Sequence, residues 1–421
     1  MRSKNKQAII IAILIFFIFA KISSNTPVGY NDQSRLAAIV AISKYNKLNI
    51  DDTQFKLIGD RVNYKGLNYS SKPPVLSLAV GGFVKGLGLV SSSIIDNQSL
   101  VYKISTILTT ALPLALIFLI FRLFLFEKEN LFFSLYAIFG TLLFSYSQYL
   151  NNHILESLIM LCLFTLFIKT KELNNGISFL FGLFLGLLFA LDVTFGVVVI
   201  PLTVIFLVIK YRSANATRIL LFVTPLLLLV TSHFYLNYLQ FETLLLPQLR
   251  PDIYLNYEGS KWYGINSVEN IYRDSFLLRW FNYTFGTFGL FLYQPLLLIA
   301  LIPIFKKGFL KDRDRIYVLL IVFFYILFNA LLQKDYGGSS FGPRRFLPLI
   351  PLLYYFVVKD ITGGGHLSRV KTIIVVFLFA TNFYISILGF LNPWENWNYY
   401  NDGKRYLYFP LLFTLREVLQ W

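Results

Sequence analysis

The chain is 421 residues long, 56% hydrophobic and only 14% charged, against roughly 25% charged residues in soluble domains. So few charges cannot cover a body of this size in water. A soluble enzyme, a disordered chain and a collagen-like repeat are excluded, and an integral membrane protein is left.

In chain order, hydrophobic runs predict eleven spans, near 8–24, 99–124, 131–149, 153–168, 176–191, 194–209, 219–238, 286–305, 316–333, 346–358 and 372–391. The expected fold is an all-α polytopic membrane protein forming one domain over 1–421. Several runs are shorter than the ~20 residues of a straight span, so tilted or half-buried ends are expected. The first run follows Arg2, Lys4 and Lys6 like a signal peptide, but Ile18 and Ala20 make a poor cleavage site, so it reads as an uncleaved anchor. A long first loop (25–98) comes next. In it, Ser34 to Tyr45 predicts an amphipathic interfacial helix. The stretch 60–70 predicts a hairpin turning at Lys65-Gly66, and the Gly-interrupted run Pro74 to Val90 a second interfacial helix. Further polar segments fall at 239–285, 334–345 and 392–421.

Charge fixes an orientation. With the N-terminus cytoplasmic, the inner segments hold 18 Lys/Arg and 6 Asp/Glu and the outer ones 20 and 16, or +12 and +4 of the net +16. The inner excess sits in short connectors such as 306–315, where the positive-inside rule applies best. All five tryptophans (Trp262, Trp280, Trp394, Trp397, Trp421) fall in outer segments. The positive charge is therefore mainly a topology signal rather than a nucleic-acid footprint, and no nucleic-acid partner is expected. The irregular sequence collects on the outer side, so the working face is expected there. The lone cysteine, Cys162, excludes an intramolecular disulfide and a thiolate zinc cluster.

Four constellations carry candidate chemistry. In Gly29-Tyr30-Asn31-Asp32-Gln33-Ser34-Arg35, a partly desolvated Asp32 suits a general base; the plainer alternative is a helix N-cap with Arg35 as a solvated partner. In Tyr69-Ser70-Ser71-Lys72-Pro73-Pro74, the prolines start a helix and Lys72 faces the level of lipid phosphates; a turn with a snorkelling lysine is the alternative. Asp335-Tyr336-Gly337-Gly338-Ser339-Ser340-Phe341-Gly342-Pro343-Arg344-Arg345 offers three glycines and two arginines, an anion cradle on a side where juxtamembrane arginines are less usual. His153 and Glu156 share one helix face, and Asp192 breaks an apolar stretch at a similar depth; a hydrogen-bonded structural pair explains them as well as a metal site does. No metal ligands are assigned, because the sequence places too few nearby. Asp312-Arg313-Asp314 matches a DxD pattern but lies in a basic connector, and Gly182/Gly186 form a GxxxG read as helix packing.

Together these features resemble the GT-C superfamily of polytopic glycosyltransferases, in the branch of protein O-mannosyltransferases and lipid A aminoarabinose transferases. The resemblance rests on Asn31-Asp32…Arg35 after the first span, Tyr69-Ser-Ser-Lys72-Pro73-Pro74 before an interfacial helix, and Gly337-Gly338…Gly342-Pro343-Arg344 before a late span. It implies transfer of a sugar from a polyprenyl-phosphate donor to a hydroxyl of a glycan, lipid or protein acceptor at the outer face of the membrane, with inversion. Asp32 is then the base and Lys72, Arg344 and Arg345 the donor-phosphate ligands. Arg35, Tyr69, His153, Glu156 and Asp192 become supporting positions, membrane lipids surround the chain, and a divalent cation is left open as a cofactor. The alternative is a transporter or flippase of lipid-linked glycans, which calls for polar residues through the bilayer midplane; here the polar loops crowd one face.

Overall fold

The computed structural model describes residues 2–211, 215–254, 257, 260, 275–332, 336, 340–363 and 368–393. Helix α1 (Arg2–Ile22) is an apolar run without Gly or Pro. It leads through a short connector into α2 (Tyr30–Tyr45). A two-stranded antiparallel hairpin follows, β1 (Arg61–Tyr64) and β2 (Leu67–Ser70), with Arg61 opposite Ser70 and Tyr64 opposite Leu67. Its turn residues Lys65 (φ 51°) and Gly66 (φ 80°) both lie in the left-handed region, the twist a two-residue hairpin needs. Helix α3 (Pro74–Val90) starts on Pro74, and α4 (Gln98–Leu125) runs 28 residues without interruption.

The later helices are α5 (His153–Lys169), α6 (Asn175–Leu191), α7 (Val193–Lys210), α8 (Ala216–Phe241), α9 (Arg313–Leu332), α10 (Arg344–Gly363) and α11 (Arg369–Leu391). Among the described residues, seven helices (α1, α4, α7, α8, α9, α10, α11) are long and apolar enough to cross a membrane. The protein is thus an all-α polytopic membrane protein with little sheet.

The four other expected spans differ in kind. Segments 153–168 and 176–191 form the 17-residue helices α5 and α6. The run 131–149 breaks into Leu131–Phe139 and Leu142–Ser145 around Gly140, whose missing side chain leaves room for the Tyr136 ring. The run 286–305 becomes a short helix, Leu290–Tyr293, and a 3₁₀ segment, Pro295–Phe305, because Pro295 and Pro303 remove amide donors.

The expected surface helix Ser34–Tyr45 is corrected on two counts. It begins at Tyr30, and it is enclosed on nearly all sides from Ser34 to Ala41 rather than half-exposed. Its small residues explain this: Ala37 and Ala41 pack with Ile50, and Gly81 of α3 lets that helix close on Ile42 and the Ile39 carbonyl. The first loop is also locked to the second. Phe241 packs edge-on to Tyr69 at 5.2 Å, Lys65 pairs with Glu242 at 2.6 Å, and Gln248 Nε2 donates to the Ser71 carbonyl at 2.8 Å. The GxxxG reading of α6 holds in space. A side chain at Gly182 would strike the Phe222 carbonyl at 1.9 Å and one at Gly186 would meet Leu229, so α6 and α8 lie backbone against backbone.

Candidate active site

Three polar layers meet where the first loop sits on the helix bundle. The outermost follows from the hairpin. Its register places Asp60 and Ser71 just beyond the last pair, Arg61–Ser70. Ser71 Oγ donates to Asp60 Oδ1 at 2.6 Å, and Lys72 Nζ lies 2.5 Å from Asp60 Oδ2. Ser34 Oγ, on α2, donates to the Asp60 carbonyl at 2.7 Å and meets Ser70 Oγ at 2.8 Å. Lys72 is largely buried, and desolvation holds its ammonium below the usual lysine pKa despite Asp60; Arg35 and Arg344 push the same way.

The middle layer is on α2. Gly29, not Asn31 or Asp32, caps the helix, and Asp32 is its third residue. Asp32 Oδ2 accepts from the Val28 amide at 2.9 Å and from Tyr102 Oη at 2.9 Å, and Oδ1 accepts from the Gln33 amide at 3.2 Å. The carboxyl has no exposed surface, and burial raises its pKa against those hydrogen bonds. One turn on, where spacing brings side chains together, Arg35 Nη2 donates to Asn152 Oδ1 at 2.6 Å. Arg35 Nε and Nη1 are buried and have no hydrogen-bond partner among the described residues. Burial brings its pKa down to about 10, so it remains a cation at neutral pH.

The inner layer lies at the starts of α5, α7 and α10. His153 Nδ1 is 2.9 Å from Glu156 Oε2, and Asn152 Nδ2 donates to Glu156 Oε1. Asp192 caps α7, its Oδ1 accepting from the Thr194 amide (2.8 Å) and hydroxyl (2.5 Å). Arg344 opens α10 behind Gly342, which has φ +67° and leaves room for the Tyr293 ring. Arg344 is close enough to Arg35, Lys72, His153 and Glu156 to act on their charges, and Arg345 acts on His153. Two acids, the buried Glu156 and the half-buried Asp192, therefore sit among arginines.

His153, Glu156 and Asp192 also form the one group among the described residues whose ligand atoms could hold a metal ion, all within 4.8 Å of one another. Asp192 supplies the third ligand that sequence spacing does not show. These atoms fit a divalent cation by type. The His153–Glu156 bond and the adjacent arginines already satisfy much of the group's charge and bonding, so a cation has to open that bond to enter.

The structure thus brings Lys72, Arg35, Arg344, His153, Glu156 and Asp192 into one electrostatic cluster and sets Asp32 beside it on α2. Tyr69 is not part of it, because its ring is turned to Phe241. Gly337, Gly338 and Asp335 of the Gly-Arg loop lie outside the described residues, as do 261–274, the tail from 394, and every tryptophan except Trp280. Two participants escape sequence reading. Tyr102 carries no motif. Asp60 had a usable signal, because the hairpin register alone sets it opposite Ser71.

Neither a protein-family model nor a curated protein matches the sequence. Among solved structures, ArnT from Cupriavidus metallidurans bound to undecaprenyl phosphate aligns with a TM-score of 0.52 at 13% identity, covering 91% of this chain and 69% of that one. Its apo state aligns at 0.51 and 15% identity, covering 88% and 61%. At these identities the likeness is one of fold.

Proposed function

We propose that this protein is an integral membrane glycosyltransferase that moves a sugar from a polyprenyl-phosphate donor to an acceptor hydroxyl. The observation that supports the reading is the convergence of two buried cations, Arg35 and Arg344, and the partly exposed Lys72 near a buried carboxyl, Asp32. Asp60, Glu156 and Asp192 offset part of this charge, but Arg35 keeps two buried donors without a partner among the described residues, which an incoming anion would satisfy. A lipid phosphate is the anion that a membrane-embedded site with this fold accommodates, and undecaprenyl phosphate is what the similarly folded ArnT binds.

In the proposed reaction the acceptor O–H proton passes to Asp32 as its oxygen attacks the anomeric carbon. The new C–O bond forms as the bond from that carbon to the phosphate oxygen breaks, with inversion. Lys72, Arg35 and Arg344 take up the charge growing on the leaving phosphate, with Arg345 as an outer contributor. In the structure the Val28 amide occupies Asp32 Oδ2, so the connector between α1 and α2 has to shift for the acceptor to reach the base. His153, Glu156 and Asp192 hold the arginines in place and supply the ligands for a divalent cation if one is used. The charge bias of the connectors supports a cytoplasmic N-terminus and an outer working face. The test is incubation of the purified protein with a panel of polyprenyl-phosphate sugars. Consumption of one donor with release of polyprenyl phosphate supports the reading. Movement of an intact lipid-linked glycan across vesicles without cleavage overturns it in favour of a flippase.

A further inference from the structure

The proposed phosphate subsite already holds an anion of the protein's own. Asp60 places one carboxylate oxygen 2.5 Å from Lys72 Nζ and the other 2.6 Å from Ser71 Oγ. Its charge is also felt by Arg35. These are a cation and a neutral donor arranged on two oxygens, as on two oxygens of a phosphate. Both side chains keep a little exposure, 16% for Lys72 and 15% for Asp60, so the pair sits at the accessible rim and not in sealed core. Beside it lies a small cavity of only about 10 Å³, lined by Ala38, Ile42, Ser70, Lys72, Ser77 and Gln240 among others, so a phosphate takes its room from the departing carboxylate.

We infer that Asp60 is a placeholder for the donor phosphate: the lipid phosphate displaces its carboxylate from Lys72, and its return helps to expel the polyprenyl phosphate product. The inference rests on the reading of Lys72 as a phosphate ligand. The reason for exchange is electrostatic. Two anions cannot both lie within hydrogen-bond distance of one ammonium in a desolvated site without strong mutual repulsion. Phosphate and carboxylate therefore alternate, and the donor's affinity is scaled by the fraction of molecules in which Asp60 has let go. Asp60 is a positioning residue in this scheme, and its hydrogen bonds from Ser71 and, through its carbonyl, Ser34 set where it waits.

A merely structural Asp60, one that holds Lys72 in place, predicts the opposite effect on binding, which makes the test decisive. Undecaprenyl phosphate binding is measured by calorimetry on the full-length protein in detergent, for wild type, Asp60→Asn, Lys72→Met and the double variant. Asp60→Asn should bind about tenfold tighter, as expected when a site closed in roughly nine molecules of ten is opened. In the Lys72→Met background the same change should tighten binding much less, leaving only the weaker effect of the Asp60 charge on Arg35. Ser71→Ala keeps every charge and loosens Asp60, so it should tighten binding by a smaller factor and serves if Asp60→Asn fails to fold. Unchanged or weaker binding in cooperatively folded Asp60→Asn or Ser71→Ala, or tightening that is undiminished in Lys72→Met, overturns the inference alone. Absence of binding to every form, wild type included, overturns the phosphate reading and the inference with it.

Discussion

Lys72→Met separates the structural from the chemical role of the lysine. The substitution keeps the side chain's length but strands the Asp60 carboxylate, which is 15% exposed and still accepts from the Ser71 hydroxyl. Halving a buried ion pair costs 3–5 kcal/mol; the residual exposure and Ser71 place this case at about 3 kcal/mol. Turnover falls by a second route, the loss of one preorganised cation at the leaving phosphate, a factor of about 10²–10³ in kcat. Adding Asp60→Asn removes the stranded charge. Thermal unfolding in detergent should then return close to wild type, while donor consumption stays down by the same factor. A double variant that recovers both stability and turnover to within a few-fold of wild type refutes a transition-state role for Lys72.

Asp32→Asn should abolish turnover while undecaprenyl phosphate binding persists, read by kinetics and calorimetry on the same preparation. Burial raises the Asp32 pKa above 3.8, so the acid limb of the kcat profile should lie above the ordinary aspartate range, with activity rising as the carboxyl ionises. The same shift gives stability that is fully present below pH 3.8 and is lost as pH rises through the folded value, visible as a pH-dependent Tm that Asp32→Asn removes. Tyr102→Phe deletes a donor to the Asp32 carboxylate and should move the acid limb up by about one pH unit, since a hydrogen bond to a charged group contributes about 1.5–3 kcal/mol. Gly182→Ala, whose methyl would meet the Phe222 carbonyl at 1.9 Å, should destabilise by about 1–3 kcal/mol. Gly86→Ala, with nothing within 4 Å and helical backbone, should raise the Tm slightly, by about 0.5–1 kcal/mol of stability.

Much of the architecture was legible because the bilayer imposes it. Apolar runs of helical length mark α1, α4, α7, α8, α9, α10 and α11, and Lys65-Gly66 marks the hairpin. The burial of α2 is not legible in its sequence: polar residues at both ends suggest a surface helix, whereas its alanines let α3 and Ile50 close over it. Likewise, His153 and Glu156 show as an i, i+3 pair, but Asp192 joins them only through the packing of α5 against α6. Lys72 was visible from its Pro-Pro context, and its partner Asp60 only from the strand register. Tyr102 reaches Asp32 across 70 residues of chain, a contact that local periodicity does not encode.

The most direct measurement is single-turnover cleavage of a labelled polyprenyl-phosphate sugar by the purified protein, with Asp32→Asn and Arg344→Ala alongside. Cleavage by wild type, none by Asp32→Asn, and a rate lowered by about 10²–10³ in Arg344→Ala is the expected result. Cleavage that proceeds equally in all three, or donor that remains intact in wild type across the whole sugar panel, contradicts a glycosyltransferase built on Asp32 and the Lys72, Arg35 and Arg344 cluster.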